Sequence, residues 1–114
     1  MRCVEVLYFE SCPGWRSAVE RVRRVLVEGG LEDTVSIRMI AVETEEQARQ
    51  LRFPGSPTVR VDGHDVQPLA EGNDEGALQC RLYQHDGRLE RIPSVDRIRA
   101  ALGVRPEAAK LGET

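Results

Sequence analysis

The sequence is poor in aromatic residues, in long apolar runs and in charge of one sign. Only 4% of its 114 residues are aromatic, and its formal net charge is −3. No apolar run is long enough to cross a membrane, and without a basic excess nucleic acid is a poor partner. The apolar pattern starts close to Met1, so we expect no signal peptide and a cytoplasmic protein. Its three cysteines are an odd number, and in that reducing compartment we expect them to remain thiols.

One cysteine stands where a strand pattern changes into a helix pattern. The apolar stretch Val4 to Phe9 is followed by two polar residues, then by Cys12, Pro13 and a long helical pattern. Pro13 suits the first turn of a helix, which places Cys12 at or beside the N-cap. Unpaired N–H groups and the helix dipole favour a thiolate there, so Cys12 is predicted to be exposed, acidic and nucleophilic. The alternative is a small, buried apolar residue at the end of a strand.

The remaining pattern predicts one domain at residues 1–103 and a fraying tail at 104–114. Strand and helix periods follow one another in the order β-α-β-α-β-β-α. This order predicts an α/β fold with a mixed four-stranded sheet, parallel crossovers in its first half, an antiparallel hairpin in its second half and helices on both faces. The predicted strands are 4–9, 35–42, 58–61 and 79–84, the helices are 13–28, 44–52 and 93–102, and 64–79 is a surface loop. Thr44 and Gln47 match a capping box at the start of the second helix, Ser94 marks the start of the third, and Asp86-Gly87 predicts a tight turn.

Two motifs resemble one known superfamily. The turn Cys12-Pro13-Gly14-Trp15 resembles the active-site turn of the thioredoxin and glutaredoxin superfamily, where Cys-x-x-Cys opens the first helix. The segment Phe53-Pro54-Gly55-Ser56-Pro57-Thr58-Val59 resembles its cis-proline loop. The resemblance implies a thioredoxin-like fold, a nucleophilic Cys12 and a cis Ser56–Pro57 bond, with the Ser56 backbone bonded to an extended substrate. It also implies a substrate-binding surface at Pro13, Trp15, Ser56, Pro57 and Thr58.

Trp15 stands where the superfamily has its second cysteine, and this departure changes the expected mechanism. Trp15 also lies on the apolar stripe of the first helix, so core packing and substrate contact are both open roles. Without a thiol at position 15, Cys12 must be released by an external thiol or by another cysteine of the chain. Cys80 is the candidate resolving cysteine. If its strand runs antiparallel to 58–61, however, Cys80 lies roughly 10 Å or more from the site, too far to bond.

These residues predict thiol–disulfide exchange through Cys12 by a monothiol mechanism, which would make the protein an oxidoreductase. The expected partners are a low-molecular-weight thiol or the thiols and disulfides of a protein, and no cofactor is expected. Two alternatives remain open: a binding module that keeps the fold without turnover, and a soft-metal or organomercurial thiol-binding protein. His64 and His85 lie in polar sequence without metal-site spacing, and we expect no metal site there.

Overall fold

A computed structural model describes residues 2–67 and 76–105. Residues 68–75 of the predicted loop at 64–79 and residues 106–114 of the predicted tail at 104–114 lie outside these ranges. No helix within them is long and apolar enough to cross a membrane. The elements of this mixed α/β chain are β1 (Arg2–Tyr8), α1 (Trp15–Glu28), β2 (Val35–Ala41), α2 (Glu45–Gln50), β3 (Thr58–Val61), β4 (His64–Asp65), β5 (Tyr83–His85), β6 (Arg88–Glu90) and α3 (Val95–Leu102).

The main sheet has four strands in the order β2-β1-β3-β4, which confirms the predicted mixed sheet. Strand β2 is parallel to β1, as α1 between them requires, whereas β3 is antiparallel to β1. The second predicted parallel crossover is therefore wrong. Tyr8 pairs with Ala41 and Leu7 pairs with Thr58, so β2 ends and β3 begins at the edge of the sheet where β1 ends. That edge carries both predicted motifs.

The fourth strand is not the one that the sequence predicted. Asp62 and Gly63 have φ values of 51° and 86°, and the two-residue turn that they form pairs Val61 with His64. This hairpin gives β3 its antiparallel partner, β4, directly after the turn. Strand β4 thus occupies the position beside β3 that was expected for residues 79–84. Strand β5 instead pairs with β6 in a separate two-stranded sheet.

Apolar side chains pack on both faces of the main sheet. Successive side chains of a strand point to opposite faces, and β1 follows this rule. Val4 and Val6 join a large cluster with α1 and α3, and Leu7 joins a smaller one that includes Ala48 of α2. The two clusters accord with the predicted helices on both faces. The buried residues that α1 and α3 give to the large cluster are Ala18, Val19, Val22, Val25, Leu26, Ile98 and Leu102.

The helix ends follow the capping signals, except at the start of α1. Thr44 and Gln47 form the predicted capping box of α2, and Ser94 caps α3. The predicted start of the first helix at Pro13 is wrong, because Gly14 is the N-cap of α1, with φ of 100°. A turn extends to Cys12, whose N–H donates to the carbonyl of Phe9 at 2.9 Å. Cys12 therefore precedes the N-cap by two residues.

Candidate active site: a cysteine pair at the sheet edge

Cys12 lies between β1 and α1, as predicted, but it is buried. Only 3% of its surface is exposed, so the expected exposure of this thiol is wrong. Its Sγ lies 3.7 Å from the carbonyl oxygen of Ser56. Burial at this position has a simple cause: the cis-proline loop and a second segment of the chain both pack against the turn.

That second segment brings Cys80 to Cys12, and the two cysteines form a disulfide with a Cα–Cα distance of 5.9 Å. The expected separation of Cys80 from the site is therefore wrong, as is the expectation that all three cysteines remain thiols. The reason is the register: Cys80 does not extend a strand antiparallel to β3 but forms an isolated parallel bridge with Ser56. Cys3, at the start of β1, is free and partly buried.

Ser56 binds the Cys80 segment through its backbone. Its N–H donates to the carbonyl of Gln79 at 2.7 Å, and its carbonyl accepts from the N–H of Arg81 at 3.0 Å. The Ser56–Pro57 bond is cis, as predicted. The backbone groups that were predicted to receive a substrate are thus occupied by the protein's own chain. The Ser56 hydroxyl accepts from the N–H of Phe9 at 2.9 Å, which ties the loop to the end of β1.

The predicted substrate-binding residues divide into a buried and an accessible set. Ser56, Pro57 and Thr58 are buried. Pro13 is exposed, and Trp15 is half-buried against the large apolar cluster. With the disulfide closed, only Pro13 and Trp15 of this set are accessible to a partner.

Arg81 anchors the segment 79–81 through its side chain. Its guanidinium group donates to both carboxylate oxygens of Asp65, at 2.7 and 3.1 Å, and to the carbonyl of Gln67 at 2.7 Å. It also lies 3.3 Å from the hydroxyl of Thr58. The side chains of Arg81 and Asp65 are only 4% and 15% exposed. Sequence reasoning missed this ion pair, because no periodicity or motif links the two residues.

Tyr83 fixes the same segment from the core. Its hydroxyl donates to the carbonyl of Pro57 at 2.6 Å, and the guanidinium carbon of Arg81 lies 4.4 Å from its ring centre. Burial raises the pKa of the Tyr83 phenol well above its usual range. The neutral hydroxyl therefore persists as a donor to the cis-proline loop at all ordinary pH values.

A small cavity borders Cys12 at the start of α1. It has a volume of about 350 Å³ and is lined by residues 10–17. Trp15, which lines this cavity, stacks on Tyr8 with ring centres 4.4 Å apart. The guanidinium carbon of Arg16 lies 4.4 Å from the centre of the Trp15 ring. The first turn of α1 has no acidic residue and no side-chain cap. A larger groove between the β5–β6 hairpin and α3 contains no cysteine.

The described residues contain no group of three or more His, Cys, Asp or Glu side chains arranged to hold a metal ion. His85 instead lies 3.2 Å from the carboxylate of Asp86, and His64 is exposed in β4. At the sheet edge the structure brings together two sulfur atoms, those of Cys12 and Cys80. Comparisons with protein-family models, with curated proteins and with solved structures gave no significant match to this chain.

Proposed function

We propose that the protein has a thioredoxin-like fold and catalyses thiol–disulfide exchange with Cys12 and Cys80 as its redox pair. The observation that carries the proposal is the pairing of the two cysteines beside a cis proline, where β1 gives way to α1. Such a pair stores two electrons as thiols and releases them when it closes to a disulfide. Its partners are a low-molecular-weight thiol or protein thiols and disulfides.

The arrangement of the main sheet supports the thioredoxin-like reading. A parallel β1-α1-β2 unit is followed by α2 and by β3 antiparallel to β1, with the cis Ser56–Pro57 bond directly before β3. The order of elements up to β3 and the cis proline directly before β3 are what the superfamily resemblance implies. The departure is the second sulfur, which comes from Cys80 and not from position 15.

The proposed mechanism uses two cysteines, in place of the monothiol mechanism that the sequence predicted. External release of Cys12 was required only because Cys80 was expected to be distant. With both sulfurs within bonding distance, one thiolate attacks a partner disulfide and one partner thiolate leaves. The other cysteine then attacks the mixed disulfide, which closes Cys12–Cys80 and releases the second partner thiol.

Turnover of a small peptide disulfide, with dithiothreitol as the reductant, tests the proposal. We expect Cys12→Ser and Cys80→Ser each to abolish the catalysed rate, and the matched control Cys3→Ser to retain it. Equal rates for all three variants, at the level without protein, would contradict the proposal. An undiminished rate in Cys80→Ser alone would restore the monothiol mechanism.

A second candidate, a binding module without turnover, is favoured by the closed groove. The Ser56 backbone is already paired, and Cys12 is buried, so the disulfide would then be a structural crosslink. If the protein is a binding module, the Cys12–Cys80 disulfide should resist reduction in glutathione buffers. If it is an exchange protein, the same buffers should reduce this disulfide. A soft-metal site remains an alternative because two adjoining thiolates are soft ligands. Uptake of one Hg²⁺ by the reduced protein, lost in Cys80→Ser, would favour it only if turnover is absent.

A further inference from the structure

We propose that Cys80, and not Cys12, forms the mixed disulfide with the partner, and that Cys12 is the resolving thiol. This inference rests on the proposed exchange function and reverses the roles that the superfamily resemblance implies. It would place the partner against the exposed residue Cys80.

Access to the two sulfurs is unequal. Residue 80 is exposed, whereas Cys12 is 3% exposed and its Sγ lies 3.7 Å from the carbonyl oxygen of Ser56. A thiolate that opens a disulfide must approach one sulfur from the side opposite to the sulfur that leaves. Because residue 80 is exposed and Cys12 is buried, an external thiolate has more room to approach Cys80 than Cys12. The exposed sulfur is therefore the one that an external thiol reaches.

The surroundings of Cys12 suit a leaving group. Cys12 precedes the N-cap of α1 by two residues, and the first turn of that helix has neither an acidic residue nor a side-chain cap. The unpaired N–H groups and the helix dipole stabilise an anion at this end. Bond cleavage that leaves the charge on Cys12 is therefore favoured, because a stabilised thiolate leaves faster.

Cys80 keeps its place after the disulfide opens. Gln79 and Arg81 on either side of it are bonded to the Ser56 backbone, and Arg81 is also bonded to Asp65 and Gln67. None of these contacts involves a sulfur atom, so we expect them to persist when the disulfide opens. Residues 79 and 81 point away from the face that carries residue 80, since side chains alternate along an extended segment. The two sulfurs therefore stay adjacent, and Cys12 acts at a high effective concentration.

The steps balance in atoms and electrons. A partner thiolate attacks Sγ of Cys80, the Cys12–Cys80 bond breaks, and its electron pair stays on Cys12 as the thiolate. A second partner thiolate then attacks the partner sulfur of the mixed disulfide, which frees Cys80 and releases the partner disulfide. Two partner thiols are oxidised and one protein disulfide is reduced, and the two protons released by the partner thiols end on the two cysteines. In the reverse direction Cys80 attacks the partner disulfide and Cys12 resolves.

Trapping variants test which sulfur meets the partner. Two proteins, both carrying Cys3→Ser, are compared in their reaction with bis(2-hydroxyethyl) disulfide: one with Cys12→Ser, which retains Cys80, and one with Cys80→Ser, which retains Cys12. We expect Cys80 to form its adduct about tenfold faster or more. In denaturing guanidinium chloride the two rates should converge, because the difference arises from folded-state access. Faster or equal reaction of Cys12 in the folded protein would overturn the inference.

The unsubstituted protein gives an independent readout. The oxidised chain is treated briefly with 2-mercaptoethanol, quenched in acid and digested, and the adduct is located by peptide mass spectrometry. We expect the adduct on the peptide that contains Cys80. An adduct on Cys12 would overturn the assignment of roles but leave the exchange function intact. A disulfide that does not react at all would overturn both.

Discussion

Ser56 and Cys80 form a parallel β-bridge, and this single contact aligns Cys80 with Cys12. Both backbone groups of Ser56 take part, one with Gln79 and one with Arg81. A segment of the protein thus occupies the position in which the superfamily resemblance places a substrate. The bridge explains how Cys80 comes within bonding distance of Cys12, although position 15 holds a tryptophan.

Gly55→Ala should disrupt the cysteine pair. Gly55 has φ of 137°, and an added Cβ would lie 2.8 Å from Cβ and 3.1 Å from N of Arg81. The segment at 79–81 must move to relieve this clash, so we expect a smaller fraction of the disulfide at a given glutathione ratio. Gly63→Ala is the matched control, since Gly63 has φ of 86° but nothing within 4 Å of the added Cβ. An equal disulfide fraction in both variants would contradict this role of Gly55.

Arg81→Met should cost about 3 kcal/mol of unfolding free energy, because it leaves the Asp65 carboxylate, only 15% exposed, without its guanidinium partner. Urea denaturation of the reduced proteins measures this loss without a contribution from the disulfide. Arg2→Met is the control: both side chains of its ion pair with Asp62 are 42% exposed, so its loss should cost clearly less than the loss of the Arg81 ion pair. Similar losses in the two variants would show that Arg81 does not anchor the segment.

Tyr83→Phe should change the response of the protein to alkaline pH. The pKa of Tyr83 is raised in the folded state, so its contribution to stability is complete below pH 10.0, the usual pKa, and is lost as the pH rises above it. Thermal unfolding of both reduced proteins between neutral and alkaline pH measures this. We expect the unsubstituted protein to lose more stability than Tyr83→Phe above that pH.

At neutral pH the same Tyr83→Phe substitution should cost about 1–3 kcal/mol, because the carbonyl of Pro57 loses its buried donor. Urea denaturation at that pH measures the cost. A stability equal to that of the unsubstituted protein would show that the hydroxyl contributes nothing to the cis-proline loop. Parallel pH profiles of the two proteins would separately contradict the alkaline prediction.

Local signals were sufficient for much of the fold. Thr44 and Gln47 marked α2 by the capping box, Ser94 marked α3, and Asp86-Gly87 marked a hairpin. Each of these features depends on residues close together in sequence, where side chain and backbone interact directly. The position of Cys12 before a helix was read from the same kind of signal.

The position of Cys80 beside Cys12 could not be predicted from such local signals. Strand β4 has only two residues, too few for a period, and it takes the edge of β3 that residues 79–84 were expected to fill. The contact of Cys80 with Ser56 is a single bridge with no alternating pattern. It is held by the ion pair of Arg81 with Asp65, whose formation depends on the tertiary fold.

Thiol counting across a series of glutathione redox buffers measures the Cys12–Cys80 couple most directly. After each equilibration, free thiols are alkylated and the intact protein is weighed by mass spectrometry. We expect one reversible transition between a form with Cys3 as its free thiol and a form with all three cysteines free. Peptide mapping should place the crosslink between Cys12 and Cys80. Three free thiols in every buffer, or independent modification of Cys12 and Cys80 without a crosslink, would contradict the redox pair.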